Sequence, residues 1–343
     1  MNYEFKEITD EKTWKNFEEN YHDSETFFQS WEWSEFEKSI KKEVFRIGVY
    51  EAGKTELVGV MSIVYINAKR GKLLHVRNGP LINWGDSDMV AQVANYLRLM
   101  AVQKGCVYIR ISPLLDDTEG NRKLLQELGF VNCQMHDVDA EVTWVLNLNQ
   151  SEEEILEGMR KNVRYYINRA RKDGVQIIKS TNPDDLVKFW PIFLDTVERQ
   201  AWKAYSYEYV YNEFKIFSAA GKALLVLAKY DDKFIAGSIF IFHKGVAYYH
   251  HSGSMTAFRK IPAPYLIQWY AIKEAKTRGC DKYNFFGIAR TDDPNHPWAG
   301  LTFFKKGFGG YMENHLHAHD LPIKKRYWLT HVFELGERKL RGY

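Results

Sequence analysis

The chain has 343 residues, 45% of them hydrophobic and 15% aromatic, with a formal net charge of +3. That length suggests two domains, each able to bury a core. So small a charge does not imply nucleic-acid binding; only its local distribution could do that. No apolar run approaches the roughly 18 residues of a membrane span. The start, Met1-Asn2-Tyr3-Glu4-Phe5-Lys6-Glu7, lacks a signal core, and Cys106, Cys133 and Cys280 form no CxxC pair, so a cytoplasmic chain is expected.

The first clear strand is Glu56-Leu57-Val58-Gly59-Val60-Met61-Ser62-Ile63-Val64. A helical pattern at 88–104 ends in Gly105-Cys106, which opens the strand Val107-Tyr108-Ile109-Arg110-Ile111, and Leu128-Gly129-Phe130 follows. The second half repeats this order. It has Lys233-Phe234-Ile235-Ala236-Gly237-Ser238-Ile239-Phe240-Ile241, a helical pattern at 264–278 ending in Gly279-Cys280, the strand Lys282-Tyr283-Asn284-Phe285-Phe286, and Lys306-Gly307-Phe308. The glycines at 59 and 237, and those at 129 and 307, lie 178 apart; those at 105 and 279 lie 174 apart. Glycine is the usual stop after a helix, and several matches in one order at nearly one offset point to duplication. Each half reads strand, strand, strand, helix, strand, helix, strand, which predicts an α/β (α+β) sheet with helices packed on it. The halves are expected to meet near Leu148-Asn149-Gln150-Ser151, where Ser151 and Glu154 form a capping box. The stretch after the second repeat, with Lys324-Lys325-Arg326, is expected to be a closing helix.

Three regions carry candidate chemistry. Tyr283-Asn284-Phe285-Phe286-Gly287-Ile288, a polar loop, His296-Pro297-Trp298-Ala299-Gly300-Leu301 and Phe304-Lys305-Lys306-Gly307-Phe308-Gly309-Gly310 read as strand, loop, short helix and glycine turn. Glycine there permits positive φ and close backbone approach. A lysine where helix meets loop suits function, although a cation there also simply favours the helix dipole. Arg160, Lys161, Arg164, Arg169, Arg171 and Lys172 fall in one predicted helix with Tyr165 and Tyr166, a pattern suited to phosphate contact and base stacking. The bland alternative is a solvated amphipathic helix. His315, His317 and His319 share a strand face, but that spacing spans about 13 Å, too far for three bonds of about 2 Å to one zinc, so no metal is expected. His250-His251, beside Tyr248 and Tyr249, reads as groove lining.

Phe28-Gln29-Ser30-Trp31-Glu32-Trp33, Thr143-Trp144-Val145-Leu146-Asn147-Leu148, Met159-Arg160-Lys161-Asn162-Val163-Arg164 and the block from Gly287 to Gly310 together resemble the FemA/FemB/FemX family of peptidoglycan interpeptide-bridge aminoacyltransferases. The resemblance spans nearly the whole chain. It implies two tandem acetyltransferase-like (GNAT-like) domains, here without the long helical hairpin insertion of some members. It also implies that the C-terminal helix returns to the first domain, so the expected domains are 1–149 plus 320–343, and 150–319. It implies transfer of an amino acid from aminoacyl-tRNA to a stem-peptide amine of a peptidoglycan precursor, either UDP-muropeptide or lipid II, with a peripheral contact at the inner membrane face and no cofactor. Lys305 would be the catalytic cation that stabilises the oxyanion. A precursor diphosphate calls for cations. The family's lysine after its Gln-Ser-x-x-Trp motif would fall at Glu37, so Lys38 is the nearest candidate, and Arg199 or Lys203, in Glu198-Arg199-Gln200-Ala201-Trp202-Lys203, would replace a displaced arginine. Tyr108, Tyr249 and Phe304 complete the expected substrate-binding set; Arg160, Lys161, Arg164, Arg169, Arg171 and Lys172 form the expected tRNA-binding set. An often acidic position is Ser112 here, so no carboxylate base is expected. The rival readings are an acyl-CoA-dependent N-acetyltransferase and a non-catalytic RNA-binding module. Prolines at 262 and 264 remove N–H donors that CoA pyrophosphate would need, and the acids of Trp84-Gly85-Asp86-Ser87-Asp88 would repel it. The RNA-binding reading rests on the basic helix alone.

Overall fold

The structure is a computed structural model, and it describes residues 2–22, 25–136, 138–200 and 203–340. Residues 201 and 202 of the Arg199–Lys203 stretch lie outside them. The chain forms two compact units. Among the described residues the first holds 2–142, 295–297 and 314–340, and the second holds 143–294 and 298–313.

In the first unit β1 (Tyr3–Glu7), α1 (Glu11–Asn20) and α2 (Trp31–Ser39) precede a run of β2 (Glu43–Glu51), β3 (Leu57–Ala68), β4 (Gly71–Val76), α3 (Ser87–Gln103), β5 (Tyr108–Ile111), α4 (Glu119–Glu127) and β6 (Val131–Asn132). The second begins with β7 (Val142–Asn147), α5 (Glu152–Gly158), α6 (Lys161–Lys172), β8 (Gln176–Ser180), α7 (Leu186–Gln200) and α8 (Tyr207–Ala219). Then come β9 (Ala223–Tyr230), β10 (Lys233–His243), β11 (Val246–Ser254), α9 (Ala263–Thr277), β12 (Lys282–Gly287), α10 (Ala299–Lys306) and β13 (Tyr311–Asn314). β14 (His319–Pro322) and α11 (Tyr327–Leu340) close the chain.

The sheet orders are β1-β2-β3-β4-β5-β14-β6 and β13-β7-β12-β11-β10-β9-β8. The predicted repeat is visible in them. β2-β3-β4-α3-β5-α4-β6 corresponds to β9-β10-β11-α9-β12-α10-β13, and in each run the third and fourth strands pair in parallel while the first three pair antiparallel. Gly105 and Gly279 end equivalent helices at φ +69° and +74°, which explains the glycine at both places. The strand inserted between fourth strand and edge comes from elsewhere in the chain. β7, which follows β6, sits between β12 and β13, and β14, which follows β13, sits between β5 and β6. This exchange sets the boundary at 142/143, because β7 hydrogen-bonds into the second sheet.

Each unit has its own core. In the first, α3 lays Met89, Val93 and Leu97 on Ile47, Met61, Leu74 and Ile109. In the second, α6 and α9 bury Val163, Ile167, Ile267 and Ile272 against Val226, Phe240, Tyr283 and Phe285. Burial on this scale, at roughly 25 cal/mol per Å² of apolar surface, is the main force holding both sheets to their helices. The capping box at Ser151 and Glu154 forms as expected, with N–H···O distances of 3.1 and 2.7 Å. Among the described residues no helix is long and apolar enough to cross a membrane, and none carries a long hairpin insertion; the longest is α3, with 17 residues.

Candidate active site

α10 carries the lysine pair, and the two lysines face different surroundings. Lys305 is 4% exposed. Its Nζ donates to the Gly287 carbonyl at 2.6 Å and lies 6.0 Å from the centre of the Tyr249 ring. Among the described residues no carboxylate pairs with it. Burial therefore lowers its pKa to about 7, since nothing negative offsets the lost solvation. Lys306 is partly exposed and pairs with the exposed Asp292 at 2.9 Å.

The glycines after α10 have two separate reasons. Gly309 and Gly310 sit at φ +79° and +100°. A Cβ on Gly310 would also lie 2.2 Å from the Val145 carbonyl oxygen of β7, so no side chain fits. The Trp144 indole donates to the Gly309 carbonyl at 2.6 Å and pins the turn. The carbonyl that meets Lys305 is aimed by an irregular strand. The register of β12 against β7 shifts between Asn284 and Gly287, and Phe286 sits at φ +63°. A bulky residue there is strained, at a cost of roughly 1–3 kcal/mol. The Asn284 side chain, accepting the Phe286 N–H at 2.7 Å, holds it, as do ring contacts with Tyr248 and His250 at 5.7 and 5.4 Å.

A second bulge lies in β11. Tyr249 pairs with Phe240 and His251 with Ile239, so His250 is the extra residue. Both imidazoles thereby reach the buried carboxylate of Glu213 on α8, at 2.6 and 3.1 Å. Burial works to raise the Glu213 pKa, but the two histidines overcome it and hold the carboxyl well below its usual range. The three ligand atoms lie within 4.8 Å of one another, a closeness that the two ion pairs account for. The histidines that read as groove lining are thus tied to a buried carboxylate, with His251 buried and His250 partly so.

Tyr249 and Phe304 lie in the same unit as Lys305. Tyr249 is buried, which raises its pKa, and Phe304 packs between Tyr265 and Phe308 at 5.0 and 5.2 Å. Tyr265 also stacks on Tyr166 of α6 at 4.9 Å and lines a cleft of about 610 Å³ with Arg169, Arg199, Arg259 and Lys260. The Arg199 guanidinium is bound to the cleft wall through the Ser254 carbonyl, Thr256 and Asp195, at 2.8–2.9 Å. Lys203 is exposed. α9 opens on Pro262 and Pro264, as read from the sequence.

The six cations expected to hold tRNA divide. Arg160 lies just ahead of α6 rather than within it; its guanidinium donates to the Phe303 carbonyl and stacks 3.7 Å over the Phe303 ring, tying down the end of α10. Arg164 reaches the carbonyls that end α5, and Arg169 lines the cleft. Lys161, Arg171 and Lys172 are exposed, with Tyr165 beside them.

In the first unit Lys38 is exposed and 3.5 Å from Glu35, whereas Glu37 is buried and paired with Lys42 at 2.5 Å. Tyr108 lies in the core under Tyr327, so it offers no surface to a ligand. The Gln29 amide is buried against backbone, accepting from Ser62 N–H at 2.7 Å and donating to the Arg77 carbonyl at 2.6 Å. A further polar cluster surrounds Ser112. Its hydroxyl donates to the buried carboxylate of Asp139, which also meets Arg77 and lies 3.2 Å from His75. Arg77 and His75 hold Asp139 well below the usual carboxylate range against its burial, so it is a poor proton acceptor. Arg77 in turn stacks 3.7 Å over Phe28. Nothing in the spacing of 77, 112 and 139 signals that meeting.

Two acetyltransferase-like sheets thus follow one another along the chain, and the second carries a buried lysine against an irregular strand. A tandem GNAT protein from the clavulanic acid biosynthesis pathway shares the fold at TM-score 0.57 and 11% identity, over 94% of this chain and 99% of that one. The FemAB family model matches residues 9–234 and 227–334, so the chain belongs to the FemAB family. Similar relatives include a lipid II:glycine glycyltransferase of Staphylococcus epidermidis, 19% identical over 93% of this chain and 92% of that protein. Aminoacyltransferase FemA of the same organism is 21% identical over 74% and 81%. A crystal structure of FemX superposes with TM-score 0.82 and 18% identity over 96% of this chain and 100% of that one. The chain is accordingly an aminoacyltransferase.

Proposed function

We propose that this protein transfers an amino acid from the ester of aminoacyl-tRNA to the stem-peptide amine of a peptidoglycan precursor, and that Lys305 stabilises the tetrahedral intermediate. The amine adds to the ester carbonyl, an oxyanion forms, the tRNA ribose oxygen leaves and an amide remains. The amine's proton passes to water or to the departing oxygen. The observation that carries the reading is the buried Lys305 Nζ, fixed by the Gly287 carbonyl with no carboxylate on it among the described residues. A cation held in a water-poor site gains most when negative charge develops beside it. A pKa near 7 is also adaptable. Phosphates brought by tRNA and precursor raise it, so the lysine gains its proton as substrate binds. The cleft beside Tyr265 suits the acceptor end of a tRNA, with aromatic faces at Tyr166 and Tyr265 and cations at Arg169, Arg259 and Lys260.

The test is incubation with mixed aminoacyl-tRNAs and UDP-muropeptide or lipid II, read by mass spectrometry. Addition of one or more amino acids to the precursor is the expected result. Inertness with both acceptors, together with micromolar binding of CoA in calorimetry, would favour acyl-CoA chemistry instead.

A further inference from the structure

The closing helix α11 is built inside out. It turns Tyr327, Thr330 and Glu334 toward the body of the first unit. Glu334 meets Arg110 at 2.9 Å, and the Tyr327 hydroxyl donates to Asp320 at 3.1 Å. Its other face shows Trp328, Leu329, Val332, Phe333 and Leu340 to solvent, with Leu329 72% and Val332 66% exposed. At 100° per residue these side chains occupy one arc of the helix. Monomeric soluble proteins rarely leave such a patch uncovered.

The charge around the arc selects the occupant. Lys324, Lys325 and Arg326 stand exposed at the N-terminal end of α11, and exposed Lys339 lies within the arc. Cations at a helix N-terminus oppose its dipole, so they are not there to stabilise the helix. Glu337 of α11 lies 3.7 Å from Arg70, whose guanidinium also sits over the Phe333 ring. A second copy of this chain, packed antiparallel on the face by two-fold symmetry, would bring its Lys324–Arg326 cluster against the first copy's Lys339. Apolar side chains bordered by cations, with Trp328 among them, match the boundary of an anionic lipid bilayer.

We infer that the exposed face of α11 docks the protein on an anionic lipid surface. Leu329, Val332 and Phe333 enter the acyl boundary while Lys325, Arg326 and Lys339 meet lipid phosphates. Docking of this kind holds the enzyme at the surface that displays a lipid-linked acceptor; the binding itself does not depend on the acyl transfer proposed above.

The test is sedimentation of the full chain with vesicles of phosphatidylglycerol and phosphatidylcholine, against vesicles of phosphatidylcholine alone. At least tenfold stronger partitioning to the anionic vesicles is expected, weakening as salt rises. L329E/V332E and K325E/R326E should each lose tenfold or more. Both should keep wild-type circular dichroism and wild-type transfer to a water-soluble acceptor, so failure of docking is distinguishable from failure of the transferase reading. Equal or absent partitioning of the wild-type chain overturns the inference, as does charge reversal without effect. A dimer in analytical ultracentrifugation that L329E/V332E dissolves would assign the face to a second copy instead.

Discussion

Each unit buries a cation, and the two are buried in opposite ways. In the first, Arg110 on β5 is 3% exposed and meets both oxygens of Asp320 on β14 at 2.7 and 2.9 Å, and Glu334 on α11 at 2.9 Å. Burial pulls the Arg110 pKa down, but Asp320 reverses that and carries it well above its usual value. In the second, Lys305 is as deeply buried and faces a carbonyl oxygen. The paired cation fastens the exchanged strand and closing helix to the first sheet, and its charge is already answered. The Lys305 amine is answered only in part, and it costs the folded state stability. Buried charge left unanswered marks where a ligand's charge is expected.

The largest way to break this comparison is to unpair Arg110. Asp320→Asn leaves a guanidinium short of its main partner, and losing one member of a buried pair typically costs about 3–5 kcal/mol. Thermal or urea unfolding should show it, with activity per folded molecule little changed. Lys305→Met should do the reverse. Losing one oxyanion donor costs about 3–4 kcal/mol, or 10²–10³ in rate, read by single-turnover transfer at saturating substrates. A fall in affinity with the saturated rate intact would make Lys305 a binding residue only.

The same substitution should raise stability. The lysine's folded pKa, about 7, lies below its ordinary 10.5. Between those values the unfolded chain holds more protons, so wild-type stability rises with pH across that window; below pH 7 the full cost of burying the amine is felt. Lys305→Met removes that cost, and at pH 6 it should be more stable by a few kcal/mol, roughly 2–5 from the size of the shift. A lower melting temperature at pH 6 would show that the amine supports the fold. For catalysis the sign is opposite. In the role proposed for Lys305 the protonated form would be the active one, so the contribution of this group to kcat/KM should fall as pH rises through about 7.

Much of this architecture is legible in the sequence. The duplicated order, the helix-ending glycines at 105 and 279 and the Ser151–Glu154 capping box follow from local rules that a single segment can express. The exchange of β7 and β14 does not, because alternation says that a segment is a strand and not which sheet it joins. Lys305 and Lys306 are adjacent and alike in sequence; one buried and one solvated lysine is a fact of the packing of α10. Asp139 reaches Ser112 across 27 residues. Phe286 at φ +63° defies the preference of its own type, and the inverted α11 hides polar groups that partners on other elements, Arg110, Asp320 and the Arg70 carbonyl among them, make tolerable.

A smaller effect tests the basic helix. Lys161→Glu with Arg171→Glu leaves the buried stripe of Val163, Ile167 and Ala170 intact. If the exposed cations meet tRNA phosphates, binding should weaken. The slope of log affinity against log salt should flatten by about 0.7–0.9 for each phosphate no longer neutralised. The same slope with both changes would return α6 to a scaffold for α10.

The smallest expected effect is at Lys306, and it sharpens the comparison most. Lys306 shares helix, charge and glycine turn with Lys305, and differs only in direction. Its amine pairs with Asp292, whose side chain is 90% exposed, and lies 5.6 Å over Trp144. Solvent already screens it, so removing the charge frees no buried carboxylate and takes nothing from the site. Lys306→Met should melt close to wild type at both pH 6 and pH 9, and transfer within about threefold of it, a barrier change of roughly 0.6 kcal/mol. If Lys306→Met instead loses two orders of magnitude while Lys305→Met is spared, burial without a counter-charge is the wrong criterion for the catalytic lysine. The solvated partner would then have to turn inward when substrate binds.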